Sequence, residues 1–155
     1  MNRQQAITFL KNKPAKFGHL IGFTDLSDIH NGWIRDMVYG KGDITKQASR
    51  GTYKTTCVSV SLALLIILLP NLRSMFMRKT DTDVKEVIKQ VQKILQDPHT
   101  QYLVQCIYGI NLKLLQQSAT EITTNLTTGV KGTAQLLGIG TKGSITGKHF
   151  DRIYS

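Results

Sequence analysis

The run from Val58 to Leu69 constrains this chain more than any other feature. Only Ser59 and Ser61 interrupt its apolar character, and Pro70 closes it. A helix needs about 20 apolar residues to cross a bilayer, so this segment is too short to span one. Read as a helix from Lys54 to Leu69, it has a polar first turn followed by turns that are apolar on every side. Such a helix must be covered all round. The rest of the chain therefore has to supply elements on several of its faces, which is the situation of a central helix packed against a sheet.

Those elements can be read outward from it. Ile44 to Ala48 forms a short strand candidate, although Lys46 and Gln47 make it a poor one. On the other side, Leu72 to Met77 reads as a second strand. Thr80-Asp81-Thr82-Asp83 then opens the clearest helix: Val84, Val87, Ile88, Val91, Ile94 and Leu95 follow the i, i+3, i+4, i+7 pattern, and Asp97-Pro98 ends it. A shorter helix runs from His99 to Tyr108. Upstream, Ala6 to Leu10 suits a short helix that Pro14 and Gly18 break, and Asp25 to Asp28 reads as a turn or cap. Trp33, Ile34, Met37 and Val38 mark another helix, closed by a turn at Gly40-Lys41-Gly42-Asp43. Downstream, Leu112 to Leu126 alternates partially, as strands do, and Ala134 to Ile139 is a short apolar run. Gly138 to Ser144 reads as a flexible loop, and Phe150 to Tyr154 begins another strand. Strands alternating with helices predict an α/β layered domain.

The formal charge of +10 favours phosphate-rich partners, but no basic block concentrates it. Cys57 and Cys106 lack metal or redox spacing and read as small buried hydrophobes in a reducing cytosol. His19, His30, His99 and His149 have no metal-ligand spacing either. The residues from Met1 to Leu10 carry no apolar core of a signal peptide.

The chemistry is concentrated immediately before the apolar helix. Ala48-Ser49-Arg50-Gly51-Thr52-Tyr53-Lys54-Thr55-Thr56 follows the phosphate-binding turn: a small residue, four more, then normally Gly-Lys-Ser/Thr, at a strand-to-helix junction. Backbone N–H groups in such a turn face phosphate oxygens, and the helix start adds partial positive charge. The lysine reaches the terminal phosphates and the hydroxyl holds Mg²⁺. Lys54 and Thr55 stand at those two positions. Tyr53 replaces the usual glycine, and its side chain lies where backbone and phosphate approach each other.

This turn resembles the phosphate loop of the large terminase subunit, the ATPase of tailed-phage DNA packaging motors. Met77-Arg78-Lys79-Thr80 ahead of an amphipathic helix resembles the same family, as does Leu137 to Tyr154. The resemblance spans residues 30–155. It implies an additional-strand P-loop NTPase fold, a central parallel sheet with helices on both sides. Residues 1–30 would be a lead segment and 31–155 a partial ATPase core. ATP and Mg²⁺ would be the cofactors, held by Ser49, Arg50, Gly51, Thr52, Tyr53, Lys54, Thr55 and Thr56. Thr55 would serve as the metal ligand, and Arg50 and Lys54 would have catalytic roles. Trp33 is a candidate for stacking on the base, with a core position as the plainer reading. Arg78 and Lys79 would face DNA or a neighbouring subunit, unless they merely form a solvated strand end.

The family's acidic Walker B pair follows the strand that begins near Phe150, and the sequence ends at Ser155, just short of it. Asp151 precedes that position and Glu121 lies in a Thr-rich strand, so neither takes the role. The expectation is a truncated ATPase core in the bacterial cytoplasm that does not hydrolyse ATP alone. Its expected partners are double-stranded DNA, a phage portal or other terminase subunits, and a second copy through an exposed sheet edge, but no membrane. An alternative is a non-catalytic module that contacts a portal, a terminase or DNA and interferes with packaging. A small basic DNA-binding protein of another kind would need a helix-turn-helix or an aromatic-basic surface, and neither pattern is present.

Overall fold

The computed structural model describes residues 1–40, 54–78, 80–127, 135–140 and 152–154. Helix α1 (Arg3–Asn12) begins with a reciprocal cap: Asn2 Oδ1 accepts from the Gln5 amide at 2.8 Å, and Gln5 Oε1 accepts from the Asn2 amide at 2.9 Å. Pro14 then opens α2 (Pro14–Leu20), where its missing N–H costs nothing. Gly18, expected to break a helix, lies inside α2. A Cβ there would sit 2.4 Å from Leu26 Cδ1, so the glycine permits close packing instead of ending the helix. Helix α3 (Asp28–Tyr39) is capped at Ser27, whose amide donates to His30 Nδ1 at 2.9 Å.

Helix α4 (Lys54–Leu68) is the apolar helix, and every residue from Cys57 to Ile67 is buried. Its two serines fit because their hydroxyls turn back onto the helix: Ser59 Oγ donates to Thr55 O at 3.1 Å and Ser61 Oγ to Cys57 O at 2.6 Å. Helix α3 covers one flank and α5 (Asp81–Gln96) another. Among the described residues, no helix is long and apolar enough to cross a membrane. Asp97 ends α5 and caps α6 (Pro98–Tyr108), accepting from the His99 amide at 2.8 Å. The Tyr108 hydroxyl donates to Ile67 O and ties α6 to the end of α4.

Five strands form one sheet in the order β2-β3-β4-β1-β5: β1 (Ser74–Arg78), β2 (Leu114–Gln117), β3 (Glu121–Thr124), β4 (Leu136–Gly140) and β5 (Arg152–Tyr154). Strand β1 pairs in parallel with β4 on one side and β5 on the other, whereas β3 is antiparallel to both β2 and β4. The sheet is therefore mixed, not wholly parallel as expected. The reason lies in the connection: only Ser118–Thr120 join β2 to β3, and a parallel crossover needs a dozen residues or more. Ser118 Oγ accepts from the Glu121 amide at 3.0 Å and closes that hairpin.

Alternation divides the sheet's two faces. Phe76 and Leu136 join the main core with α4 and α5, while Met75, Leu137 and Ile139 form a second cluster with Met77. Gly138 to Gly140 was expected in a flexible loop but belongs to β4, where α5 lies directly above it. A Cβ on Gly138 would come 2.5 Å from Val84 Cγ1, and one on Gly140 would come 2.2 Å from Asp81 Oδ1. These glycines set how closely helix and strand approach. Residues 1–30 share this core through Ala6, Leu10, Ala15, Phe17 and Leu26.

Candidate functional site

The strand expected at Ile44–Ala48 and the turn residues Ser49, Arg50, Gly51, Thr52 and Tyr53 lie outside the described residues, as do Lys79, Asp151 and residues 141–144 of the expected loop. What is described is the helix that the turn leads into. Lys54 is the first residue of α4, which agrees with the helix start read from the sequence. Thr55 is exposed and Thr56 half-buried in its first turn. The first four N–H groups of any α-helix lack intrahelical acceptors, and its dipole places partial positive charge there. Burial begins one residue beyond Thr56, at Cys57.

Thr55 and Thr56 line a cleft of about 710 Å³. That volume lies within the range of roughly 300–1,000 Å³ typical of small-molecule sites. The facing wall is the outer surface of α5, with Glu86, Lys89, Gln90 and Lys93, and Ile21 and Phe23 contribute apolar surface. Threonine hydroxyls, the start of a helix, the ammonium groups of Lys89 and Lys93 and the carboxylates of Glu86 and Asp97 therefore border one space. The polar part of the lining carries both signs of charge.

Trp33 is not in this wall. It is half-buried against the main core, with its ring edge-on to His30 at 5.3 Å and 85°. Arg78 ends β1 half-buried, and its guanidinium lies 5.0 Å from the centre of the Phe76 ring, a cation–π contact that accounts for its position. Among the described residues, no group of three or more His, Cys, Asp or Glu could hold a metal ion. His19 donates from Nε2 to Leu26 O at 2.6 Å and His30 caps α3, so both serve local structure. Glu121 opens β3, where its amide closes the hairpin.

A second cleft, of about 600 Å³, lies between α1 and α3 and is lined by Lys11, Arg35, Asp36 and Tyr39. Lys11 Nζ sits 5.3 Å from the Tyr39 ring centre, and burial raises the pKa of the Tyr39 phenol. Sequence reasoning missed both this cleft and the place of Lys89 and Lys93 in the lining of the first one. Lysines on the polar side of an amphipathic helix look like any solvated face until the opposite wall is known. The one available signal was the Lys85-Lys89-Lys93 spacing, which sets three cations along one side of α5. Comparison with protein-family models, curated proteins and solved structures finds no match to this chain.

Proposed function

We propose that this chain is a nucleotide-binding P-loop core, akin to the front part of a phage packaging ATPase, and that its triphosphate site lies at the start of α4. The observation that carries this reading is the helix opening at Lys54, directly after Arg50-Gly51-Thr52-Tyr53, with Thr55 and Thr56 facing a cleft of ligand size. The parallel pairing of β1 with both β4 and β5 also supports it, since α/β nucleotide-binding cores are built on parallel strands flanked by helices.

In this reading the residues divide the work. Amides of Ser49 to Tyr53 surround the phosphate chain, the Lys54 ammonium neutralises its terminal groups and Arg50 contacts the γ-phosphate. The Thr55 hydroxyl is the side chain suited to Mg²⁺, which supplies charge neutralisation between phosphates when bound. The donor set fits that ion in one respect: Mg²⁺ takes hard oxygen ligands and keeps several waters, so an exposed hydroxyl on a first helical turn is a suitable single protein ligand. Trp33 lies away from the cleft lining, so base stacking by Trp33 is not part of the proposal. Double-stranded DNA, a portal or other motor subunits are the partners the reading implies, and their contact surfaces remain part of the proposal.

Titration with a labelled non-hydrolysable ATP analogue and Mg²⁺ tests the reading. Saturable binding is expected, and Lys54→Ala should weaken it roughly 100-fold without unfolding the chain, since removing one partner of a charged contact costs a few kcal/mol. Equal binding by the variant would overturn the proposal.

A further inference from the structure

We propose that the face formed by α1, the α1–α2 corner and α3 binds the phosphate backbone of a nucleic-acid duplex without reading its bases. The inference goes beyond the reading of α4 and stands without it. Charge distribution is the starting point. Residues 1–24 contain Arg3, Lys11, Lys13 and Lys16 and no aspartate or glutamate, and all four cations are exposed. No basic block stands in the sequence, yet the fold gathers one, because α3 brings Arg35 alongside Lys11. Among the described residues, Lys11, Lys13, Lys16 and Arg35 make no ion pair.

Two grooves shape this surface, and they meet at Asn12. One, of about 600 Å³, runs between α1 and α3 past Lys11 and Arg35. The other, of about 320 Å³, follows the Gln4, Thr8, Asn12 row of α1 to Lys13. Lys11, Lys13 and Arg35 line them against a single carboxylate, that of Asp36, and Asp25 and Asp28 line neither. The cleft beside α4, by contrast, sets Glu86 and Asp97 against Lys89 and Lys93. A surface with a positive balance attracts a polyanion. Between the cations stand Gln4, Gln5, Thr8 and Asn12, side chains of the kind that donate to phosphate oxygens. A membrane-binding face would instead present exposed apolar anchors among its cations, and every exposed side chain lining these grooves is polar. Single strands are held by exposed rings on which bases stack. The two rings here, Phe9 and Tyr39, are half-buried, and Lys11 Nζ already sits 5.3 Å from the centre of the Tyr39 ring, so a duplex suits the surface better. The face is also set before any partner arrives. Asn31 Oδ1 accepts from the Ala15 amide at 2.9 Å and Asn31 Nδ2 donates to Asn12 O at 3.1 Å, which fixes the α1–α2 corner on α3.

Fluorescence anisotropy with short labelled DNA duplexes of two unrelated sequences, across a salt series, provides the test. The unsubstituted chain should bind both duplexes alike. Lys11→Gln/Lys13→Gln/Arg35→Gln should weaken binding about tenfold and lower the slope of log affinity against log salt by about two to three, since each phosphate contact contributes about 0.9. Lys85→Gln/Lys89→Gln/Lys93→Gln removes the same charge from α5 and should stay within about threefold of wild type. Lys11→Arg/Lys13→Arg/Arg35→Lys keeps the charges and should bind like wild type. Thermal melts of each variant check the fold, and if the triple glutamine variant melts early, Lys13→Gln alone decides, with about threefold weaker binding and about one unit less slope expected. Unchanged affinity in the variants of this face, an equal loss in the α5 variant, a preference between the two sequences, or no binding by the unsubstituted chain would each overturn the inference. Binding to phosphatidylserine vesicles that depends on the three cations, without binding to DNA, would assign the face to a membrane and overturn it as well.

Discussion

Gln135 carries more of the architecture than its place beside a short strand suggests. It is 1% exposed, and its Oε1 accepts from the Thr124 amide at 2.6 Å and the Thr124 hydroxyl at 2.7 Å. Its Nε2 donates to Pro70 O at 2.7 Å, and its own carbonyl accepts from the Ser74 amide at 2.9 Å. One side chain therefore joins the end of β3 to the link between α4 and β1. Gln135→Leu keeps the approximate volume but strands the Thr124 amide and the Pro70 carbonyl, so a loss of about 2–3 kcal/mol in urea unfolding is expected. Titratable side chains add a pH dependence. Burial pushes the Cys57 thiol from its ordinary value of 9.0 up to about 11, and it raises the Tyr39 and Tyr108 phenols as well. Each of these groups is held neutral in the fold and ionises more readily once unfolded. The stability they contribute is thus complete below about pH 9 and lost as pH rises toward 11. Melting temperatures measured between pH 8 and 11 should fall across that window, and a thiol reagent should reach half-buried Cys106 before Cys57.

At the scale of elements, helix α5 was the easiest to read, because Val84, Val87, Ile88, Val91, Ile94 and Leu95 all prove buried, as their spacing requires. The apolar run of α4 was equally plain, since a segment without a polar side can only be central. Glycines misled the reading. Gly18 and Gly138 look like breakers in a sequence, but their use here depends on what lies opposite: Leu26 in one case, Val84 and Ile88 in the other. No local pattern reveals a neighbour that is remote along the chain. Gly138→Ala should cost about 1–3 kcal/mol, because the new methyl would meet Val84 Cγ1 at 2.5 Å and Ile88 Cγ1 at 3.1 Å beneath a tightly packed helix. Chemical denaturation of that variant beside Gly32→Ala, where nothing lies within 4 Å of the added atom, isolates the packing effect from the glycine effect.

Across the whole molecule, strand order was the least legible property. The alternation in Leu112–Leu126 signalled strands, but nothing in it specified that β4 would lie between β3 and β1. That arrangement follows from the short β2–β3 connection and from the glycine-lined fit of β4 under α5, which are tertiary matters. The aromatic tie at the far edge is of the same kind: the Tyr154 hydroxyl donates to Met37 O at 2.9 Å and joins the last strand to α3. The candidate site was legible in part. Lys54, Thr55 and Thr56 lie in the first turn of α4, where a helix start was read, whereas the α5 residues that line the same cleft needed the fold to reveal them. The central claim is that the start of α4 and the turn before it hold a triphosphate, and amide NMR addresses it most directly. On titration with Mg²⁺ and a non-hydrolysable ATP analogue, the amide signals of Gly51 to Thr56 should shift saturably and with a common affinity. If those signals stay in place while the nucleotide moves resonances elsewhere, or moves none, the account is contradicted.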